Sequence, residues 1–227
     1  WSSDVCSSDL NRLILYYLKN GRTNIALYEA QKMLKEAQEE DDKTGLSRCY
    51  NIMSQIYTVK RLDSMAFEWQ LKEIELTEKY DLENYNISQT YSQISSYYIN
   101  TNQPEKALEA LKKADATAYS PTQKISVQLE YVNYYSKFGD MQAAEKILNE
   151  CKTAFDQDKR LWSIKKRLYN IEYVYYLQSK QYPKALEAAK KQEAEELNLS
   201  ESIQNSVHYL TKGKIYSNMG NMRDRKS

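Results

Sequence analysis

Hydrophobic and polar positions follow one another along the chain in a pattern that repeats. Residues 97–114 have the sequence YYINTNQPEKALEALKKA and residues 175–192 have YYLQSKQYPKALEAAKKQ, with ten of eighteen positions identical and no gap. In both copies two tyrosines precede a short polar segment, and an Ala-rich amphipathic run follows. This order predicts the end of one helix, a tight turn and a second helix that packs back against the first.

The second tyrosine of each copy precedes an alanine by nine residues, and the same distance identifies further units. The pairs are Tyr17 with Ala26, Tyr57 with Ala66, Tyr98 with Ala107, Tyr135 with Ala144, and Tyr176 with Ala185. Successive alanines lie 40, 41, 37 and 41 residues apart, and a truncated sixth unit contains Tyr216. Such a period predicts an all-α fold, an α-solenoid of about five and a half helix-turn-helix units. We predict a single array over residues 11–227, with units at about 11–46, 47–87, 88–124, 125–165, 166–205 and 206–227.

Helix-start and helix-stop residues lie where these units require them. The sequence Ser120-Pro121-Thr122-Gln123 combines an N-cap serine, a proline at the first helical position and a glutamine three residues after the cap. Gly139 suits a left-handed helix end, and Asp140 can cap the helix that follows. Pro104 and Pro183 lie just inside the start of a second helix. The segment 198–201 offers a further capping box.

The composition agrees with a helical chain. Only 5 Gly and 3 Pro occur in 227 residues, far fewer than average usage, while 21 residues are Tyr. A tyrosine ring can fill a thin helical layer while its hydroxyl stays near water. No apolar run reaches the roughly 18 residues that a membrane span needs, so any membrane anchor of the full-length protein is expected outside this segment.

The balance of charges argues against nucleic acid as a partner. Lys and Arg number 32 and Asp and Glu number 31, with the two signs interspersed. A helical repeat that binds RNA needs a basic groove, which this sequence lacks. Cys49 and Cys151 have no paired spacing, so we expect buried thiols and not a disulfide or a zinc site.

The first ten residues, WSSDVCSSDL, do not fit the pattern. They show no helical periodicity and resemble a translated sequencing adapter. We therefore set residues 1–10 aside as a non-native leader when predicting the fold.

The repeated residues resemble the tetratricopeptide repeat family, in which small residues and aromatics recur at fixed positions of each helix pair. The third unit matches through Tyr91, Ile94, Ser95, Tyr98, Asn102, Ala107, Leu111 and Ala114. The expected repeat positions elsewhere are Tyr17, Ala26, Tyr57, Ala66, Tyr135, Ala144, Tyr176, Ala185, Gly213 and Tyr216. Two residues depart from the pattern, since Glu73 replaces an alanine and Glu172 replaces a leucine. The period also exceeds the usual 34 residues, which longer helices or wider joints between units would explain.

The resemblance implies a concave groove lined by the first helix of each unit, with a protein or peptide as its partner. Carried onto this chain, the groove positions are Asn51, Ile52, Gln55, Ser92, Gln93, Ser96, Asn100, Glu130, Asn133, Lys137, Arg167, Asn170, Val174 and Lys214. Amide side chains can donate to and accept from a peptide backbone. The alternative interpretation is an ordinary polar helix surface. The tyrosine stripe likewise has a core and a ligand-stacking interpretation, of which we favour the core.

Chemistry-bearing residues are sparse. His208 is the single histidine, and spacing places no second titratable group beside it. No phosphate loop, nucleophile elbow or metal-ligand cluster is present in the sequence. We therefore predict no catalytic residue, no metal and no cofactor, and we expect that the chain is not an enzyme. An accessory repeat domain of an enzyme is the less favoured alternative.

The long, Tyr-rich repeats resemble the extracytoplasmic sensor regions of Bacteroidetes membrane histidine kinases and related regulators. That resemblance implies a non-catalytic binding module for signal input in a two-component system, with a periplasmic location. A membrane helix of about 20 residues would then follow the repeats. The alternative is a soluble cytoplasmic adaptor or scaffold that holds a partner protein in its groove.

Overall fold

The computed structural model describes residues 3–196 and 211–220, and every regular element among them is helical. The helices are α1 (Ser3–Lys19), α2 (Thr23–Glu39), α3 (Lys43–Val59), α4 (Asp63–Tyr80), α5 (Ile87–Asn100), α6 (Pro104–Thr117), α7 (Pro121–Phe138), α8 (Met141–Gln157), α9 (Lys165–Gln178) and α10 (Tyr182–Glu196). A 3-10 helix covers Lys159–Ile164, and residues 211–220 are helical. The predicted all-α fold of the α-solenoid class is confirmed.

In four of the five tyrosine–alanine pairs, the backbone hydrogen bonds of the turn explain the nine-residue distance from tyrosine to alanine. The carbonyl oxygens of Tyr17, Tyr57, Tyr98 and Tyr176 accept the N–H five residues later at 2.8–2.9 Å. The residue that donates this N–H in turn accepts, through its own carbonyl, the N–H of the alanine four residues further on, at 3.0–3.1 Å. The first bond closes one helix and the second opens the next, so the spacing is set by backbone hydrogen bonding.

One residue of each turn takes the left-handed conformation, always four positions after the tyrosine. These residues are Gly21, Arg61, Asn102, Gly139 and Lys180, with φ between 59° and 100°. A left-handed residue reverses the chain direction after the last helical turn, and glycine adopts this conformation at least cost. Two units therefore use a suitable glycine, one uses asparagine, and two place a strained long side chain there.

The predicted caps are present. The Ser120 hydroxyl accepts the N–H of Gln123 at 3.2 Å, and the Gln123 side chain accepts the N–H of Ser120 at 3.4 Å, which forms a capping box. Asp140 accepts the N–H of Ala143 at 3.0 Å at the start of α8. Pro104 is the first residue of α6, and Pro183 is the second residue of α10. The segment 198–201 and His208 lie outside the described residues.

The chain also divides into two compact units, each larger than one repeat. From here on, the first unit is Trp1–Tyr97 and the second unit is Tyr98–Ser227. In the first unit α1 packs on α2, α2 on α3 and α3 on α4, and α1 also touches α3. Its core contains Ile14, Ala26, Ala30, Met33, Ala37, Leu46, Cys49, Ile52, Met53 and Ile56. The partition into repeat units and the single array remain predictions.

The second unit repeats this arrangement, with α6 on α7, α7 on α8, α9 on α10 and α7 also against α9. Its main core contains Leu129, Val132, Ala144, Leu148, Cys151, Phe155, Leu161, Leu168, Ile171 and Tyr175. A smaller cluster joins Ala185 and Ala189 of α10 to Ile215. The alanine at each unit's crossing is buried because only a small side chain lets the two helices approach closely.

The long period has both of the causes that the sequence allowed. Helices α4 and α7 have 18 residues each, and α2, α3 and α8 have 17. Two joints between helix pairs are wide: residues 81–86 connect α4 to α5, and Asp158 with the 3-10 helix connects α8 to α9. The first of these joints forms part of the candidate site.

Part of the segment set aside as a leader is helical, although its sequence shows no helical periodicity. Helix α1 begins at Ser3, and Leu10 packs against the core of the first unit. No glycine or proline interrupts residues 3–19, so nothing in the sequence ends the helix there. The origin of the leader is a separate matter and stays a prediction. Within residues 3–196 and 211–220, no helix is long and apolar enough to span a membrane.

Candidate functional site

A polar cavity of about 520 Å³ opens in the first unit beside α3, and we call it the polar cavity. Residues Thr44 to Gln55 of α3 form one wall at helical spacing, and residues Leu82–Asn86 of the α4–α5 connection form the other. Asn11 and Leu15 contribute from α1, and Glu73 contributes from α4. The predicted groove residues Asn51, Ile52 and Gln55 all line it. The cavity therefore lies on the first-helix face that the resemblance indicated.

Glu73, the residue that replaces a repeat alanine, lies at the base of this cavity with only 1% of its surface exposed. Its carboxylate accepts hydrogen bonds from Asn84 Nδ2 at 2.9 Å, Asn51 Nδ2 at 3.1 and 3.2 Å, and Thr90 Oγ1 at 3.1 Å. No ion pair with Glu73 occurs among the described residues. Burial raises the pKa of the Glu73 carboxyl, while the hydrogen bonds from Asn84, Asn51 and Thr90 oppose that rise. Neutral donors thus hold a buried acid in place.

The network extends from Glu73 to the cavity wall. Gln55 Nε2 donates to Asn51 Oδ1 at 2.6 Å, so Glu73, Asn51 and Gln55 form one chain of hydrogen bonds. Asn84 also lies 3.4 Å from the hydroxyls of Ser47 and Thr77, and its Oδ1 accepts the N–H of Asn86 at 2.9 Å. The carboxamides of both walls therefore have fixed orientations before any ligand arrives.

The second unit brings other predicted groove residues together around a second buried acid. Glu130 of α7, 3% exposed, accepts from Arg167 of α9 at 3.0 Å and from Asn133 at 2.8 Å. Lys137 and Asn170 are exposed on the same two helices, and Val174 is half-buried. Neighbouring first helices thus place their predicted groove residues side by side.

The other predicted positions differ in exposure. Ser92 is buried, and its hydroxyl donates to the carbonyl of Ser88 at 3.0 Å, so it is not accessible to a ligand here. Gln93 accepts from Gln70 at 3.2 Å, Ser96 is half-buried, and Asn100 and Lys214 are exposed. Gly213 and Tyr216 are exposed as well, because the helix at 211–220 turns Ile215 towards the core instead. Cys49 and Cys151 are buried, and burial raises the pKa of each thiol to about 12.

Glu172, the second departure from the repeat pattern, is buried and forms an ion pair of 2.9 Å with Lys152. Sequence reasoning identified both glutamates as departures but did not identify their partners. It also missed Arg48, Asn84 and Asn86. Two asparagines in the unusually wide joint at 81–86 were the available signal. Across the part of the chain that the structure describes, no group of His, Cys, Asp or Glu could hold a metal ion.

Comparison with known proteins places the fold in a defined class. The family model described as "26S proteasome subunit RPN7" matches residues 58–191. The chain is similar to the structure of PilW, a "widely conserved type IV pilus biogenesis factor", at 18% identity and a TM-score of 0.61, over 96% of this chain and 88% of that one. It is also similar to a putative kinesin light chain with TPR-like repeats from Podosopora anserina, at 15% identity and a TM-score of 0.57, over 82% of this chain and 93% of that one.

A single-substitution variant of that kinesin light chain matches at 15% identity and a TM-score of 0.59, over 82% of this chain and 92% of that one. No curated protein matches the sequence. The predicted resemblance to tetratricopeptide-like repeats is confirmed.

Proposed function

Because the chain belongs to the 26S proteasome subunit RPN7 family, a family of helical repeats, we propose that it is a non-catalytic module that binds a protein or peptide. We further propose that it is the signal-input region of a membrane-anchored bacterial regulator such as a histidine kinase, with a periplasmic location. The repeat scaffolds and the proteasome lid-subunit family that it resembles are non-catalytic.

One observation carries the binding proposal. In each compact unit a buried glutamate holds predicted groove residues in place: Glu73 accepts from Asn51 of α3, and Glu130 accepts from Asn133 of α7 and Arg167 of α9. Side chains that are fixed in advance lose less entropy when a partner binds. Their amides can donate to and accept from a peptide backbone. A protein or peptide is therefore the partner that this surface suits.

Peptide display on the full chain tests this proposal. We expect enriched peptides whose affinity falls at least about tenfold in the double variant Asn170→Asp, Lys137→Gln, because charge and donors change on an exposed groove face. Gln142→Glu changes an exposed amide of α8 and serves as the matched control. Equal affinities for the double variant and the control would contradict a groove on α7 and α9.

The sensor proposal is supported by the resemblance of the Tyr-rich, long-period repeats to sensor regions. Its test is the gene sequence beyond Ser227. We expect a hydrophobic helix of about 20 residues followed by a kinase or regulator output domain. A stop codon soon after the sixth unit, without a membrane helix, would contradict it.

A second candidate function is that of a soluble cytoplasmic adaptor or scaffold. The family match favours it, because that family is named for a subunit of the 26S proteasome, a large assembly. An intact reading frame with a normal start, no export signal and no membrane helix would support the scaffold over the sensor.

A further inference from the structure

The polar cavity of the first unit contains groups that the protein itself does not use. The side chains of Asn11, Arg48, Glu83 and Asn86 line it without a hydrogen bond or ion pair to any described residue. Gln55 donates a side-chain N–H to Asn51. The side-chain oxygen of Gln55 accepts no hydrogen bond from any described residue. These groups come from α1, α3 and the α4–α5 connection, so they face one space from several sides.

The unpaired charges of the cavity have opposite signs. Arg48 lies on α3 and Glu83 on the connection, and they do not form an ion pair with each other. Glu73 is not available to a ligand, since its carboxylate already accepts four hydrogen bonds. An anion would meet two carboxylates and one guanidinium, and a cation would leave Arg48 unpaired. A zwitterion satisfies both free charges.

We propose that the polar cavity binds a small zwitterion of the free α-amino-acid class. Its carboxylate pairs with Arg48, and its ammonium group is held by Glu83 and the carbonyl oxygen of Gln55. The cavity volume of about 520 Å³ lies within the usual range of small-molecule sites and leaves room for a side chain. Asn11 and Asn86 can both donate and accept, which favours a polar side chain. This inference goes beyond the proposed function and does not depend on it.

Isothermal titration calorimetry of the full chain tests the ligand class, with each of the twenty common amino acids as a probe. The best binder is then compared with its C-terminal amide, which lacks the carboxylate, and with its N-acetyl form, which lacks the ammonium group. We expect each derivative to bind at least about tenfold more weakly, because one charged hydrogen-bonded group is lost. Equal binding of both derivatives would overturn the proposal, as would the absence of binding by all twenty at about 10 mM, a concentration that would reveal even a millimolar Kd.

Two substitutions assign the charges. We expect Arg48→Gln to weaken binding at least about tenfold and to abolish the preference for the amino acid over its amide. Glu83→Gln should weaken binding similarly and abolish the preference over the N-acetyl form. Arg22→Gln removes an exposed arginine of the same unit outside the cavity and should have no effect. The side chains of Arg48 and Glu83 are both exposed. Circular dichroism melts check that each variant folds.

The outcomes separate this inference from the proposed function. If Arg48→Gln keeps its preference for the acid, the assignment of the carboxylate is wrong. If peptides bind the chain but no free amino acid does, the inference fails and the peptide-binding proposal stands. If a free amino acid binds but display enriches no peptide, the inference stands and the peptide-binding proposal fails.

Discussion

Asn84 donates a side-chain hydrogen bond of 2.9 Å to the carboxylate of Glu73, and this contact attaches the α4–α5 connection to the middle of α4. The connection is six residues long, and Glu73 stands where the repeat pattern has an alanine. Glu73 and the long α4–α5 connection are therefore parts of one structural feature. Together they create the polar cavity and fix the side chains on its walls.

Replacing Glu73 with the alanine of the repeat pattern should destabilise the chain. Glu73→Ala leaves the side chains of Asn51, Asn84 and Thr90 without their acceptor in a buried site, at a cost of about 1–3 kcal/mol for each group that water cannot reach. We expect a loss of about 2–4 kcal/mol in the free energy of unfolding, measured by urea denaturation. Glu75→Ala changes an exposed glutamate of the same helix and should cost less than about 0.5 kcal/mol. A neutral Glu73→Ala would show that the network contributes nothing.

Stability should also depend on pH through Glu73. Burial raises the pKa of this carboxyl in the folded chain, so between the ordinary glutamate pKa and the raised value the folded chain binds more protons than the unfolded chain. The free energy of unfolding of the wild type, minus that of Glu73→Gln, should therefore fall as pH rises through this window and then level off. Urea denaturation at a series of pH values from about 4 upward measures it. A difference that grows with pH would mean that the pKa is lowered instead.

The left-handed turn residues allow a paired test of opposite sign. Gly139 has φ 100°, so Gly139→Ala should destabilise the chain by about 1–2 kcal/mol. Lys180 occupies the equivalent turn position at φ 59°, and Lys180→Gly should stabilise by up to about 1 kcal/mol as strain is relieved. Thermal denaturation measures both variants. Changes of the same sign would contradict the strain argument.

Two ion pairs that both include arginine should differ greatly in their contribution to stability. Arg167 pairs with the buried Glu130 at 3.0 Å, whereas Arg160 pairs with Asp158 at 2.8 Å and is itself exposed. Arg167→Ala removes a charged hydrogen-bond donor from a buried carboxylate and should cost about 3 kcal/mol. Arg160→Ala should cost less than about 1 kcal/mol because solvent screens the pair. Chemical denaturation compares the two, and similar losses would mean that water reaches Glu130.

The sequence predicted the helical pairs because their signals are local. Nine residues separate Tyr98 from Ala107 because a backbone hydrogen bond that spans five residues is followed by one that spans four. Ser120 caps a helix by accepting the N–H of the residue three positions later. Exposure was harder to predict. Ser92 and Gln93 are neighbours on α5, yet one is buried and the other half-buried, because burial depends on what packs against each side of the helix.

The sequence alone thus determined the all-α repeat class, the turns and the helix caps, since each follows from hydrogen bonds within a few residues. Only the tertiary structure decided which groups contact Glu73, the residue that replaces a repeat alanine. Glu73 meets Asn51 from 22 residues before it and Thr90 from 17 residues after it, through the packing of α3, α4 and α5. Contacts between helices depend on how those helices cross and on the path of the connection at 81–86. Such geometry has no local signature, because each buried polar group must find its partners wherever the fold places them.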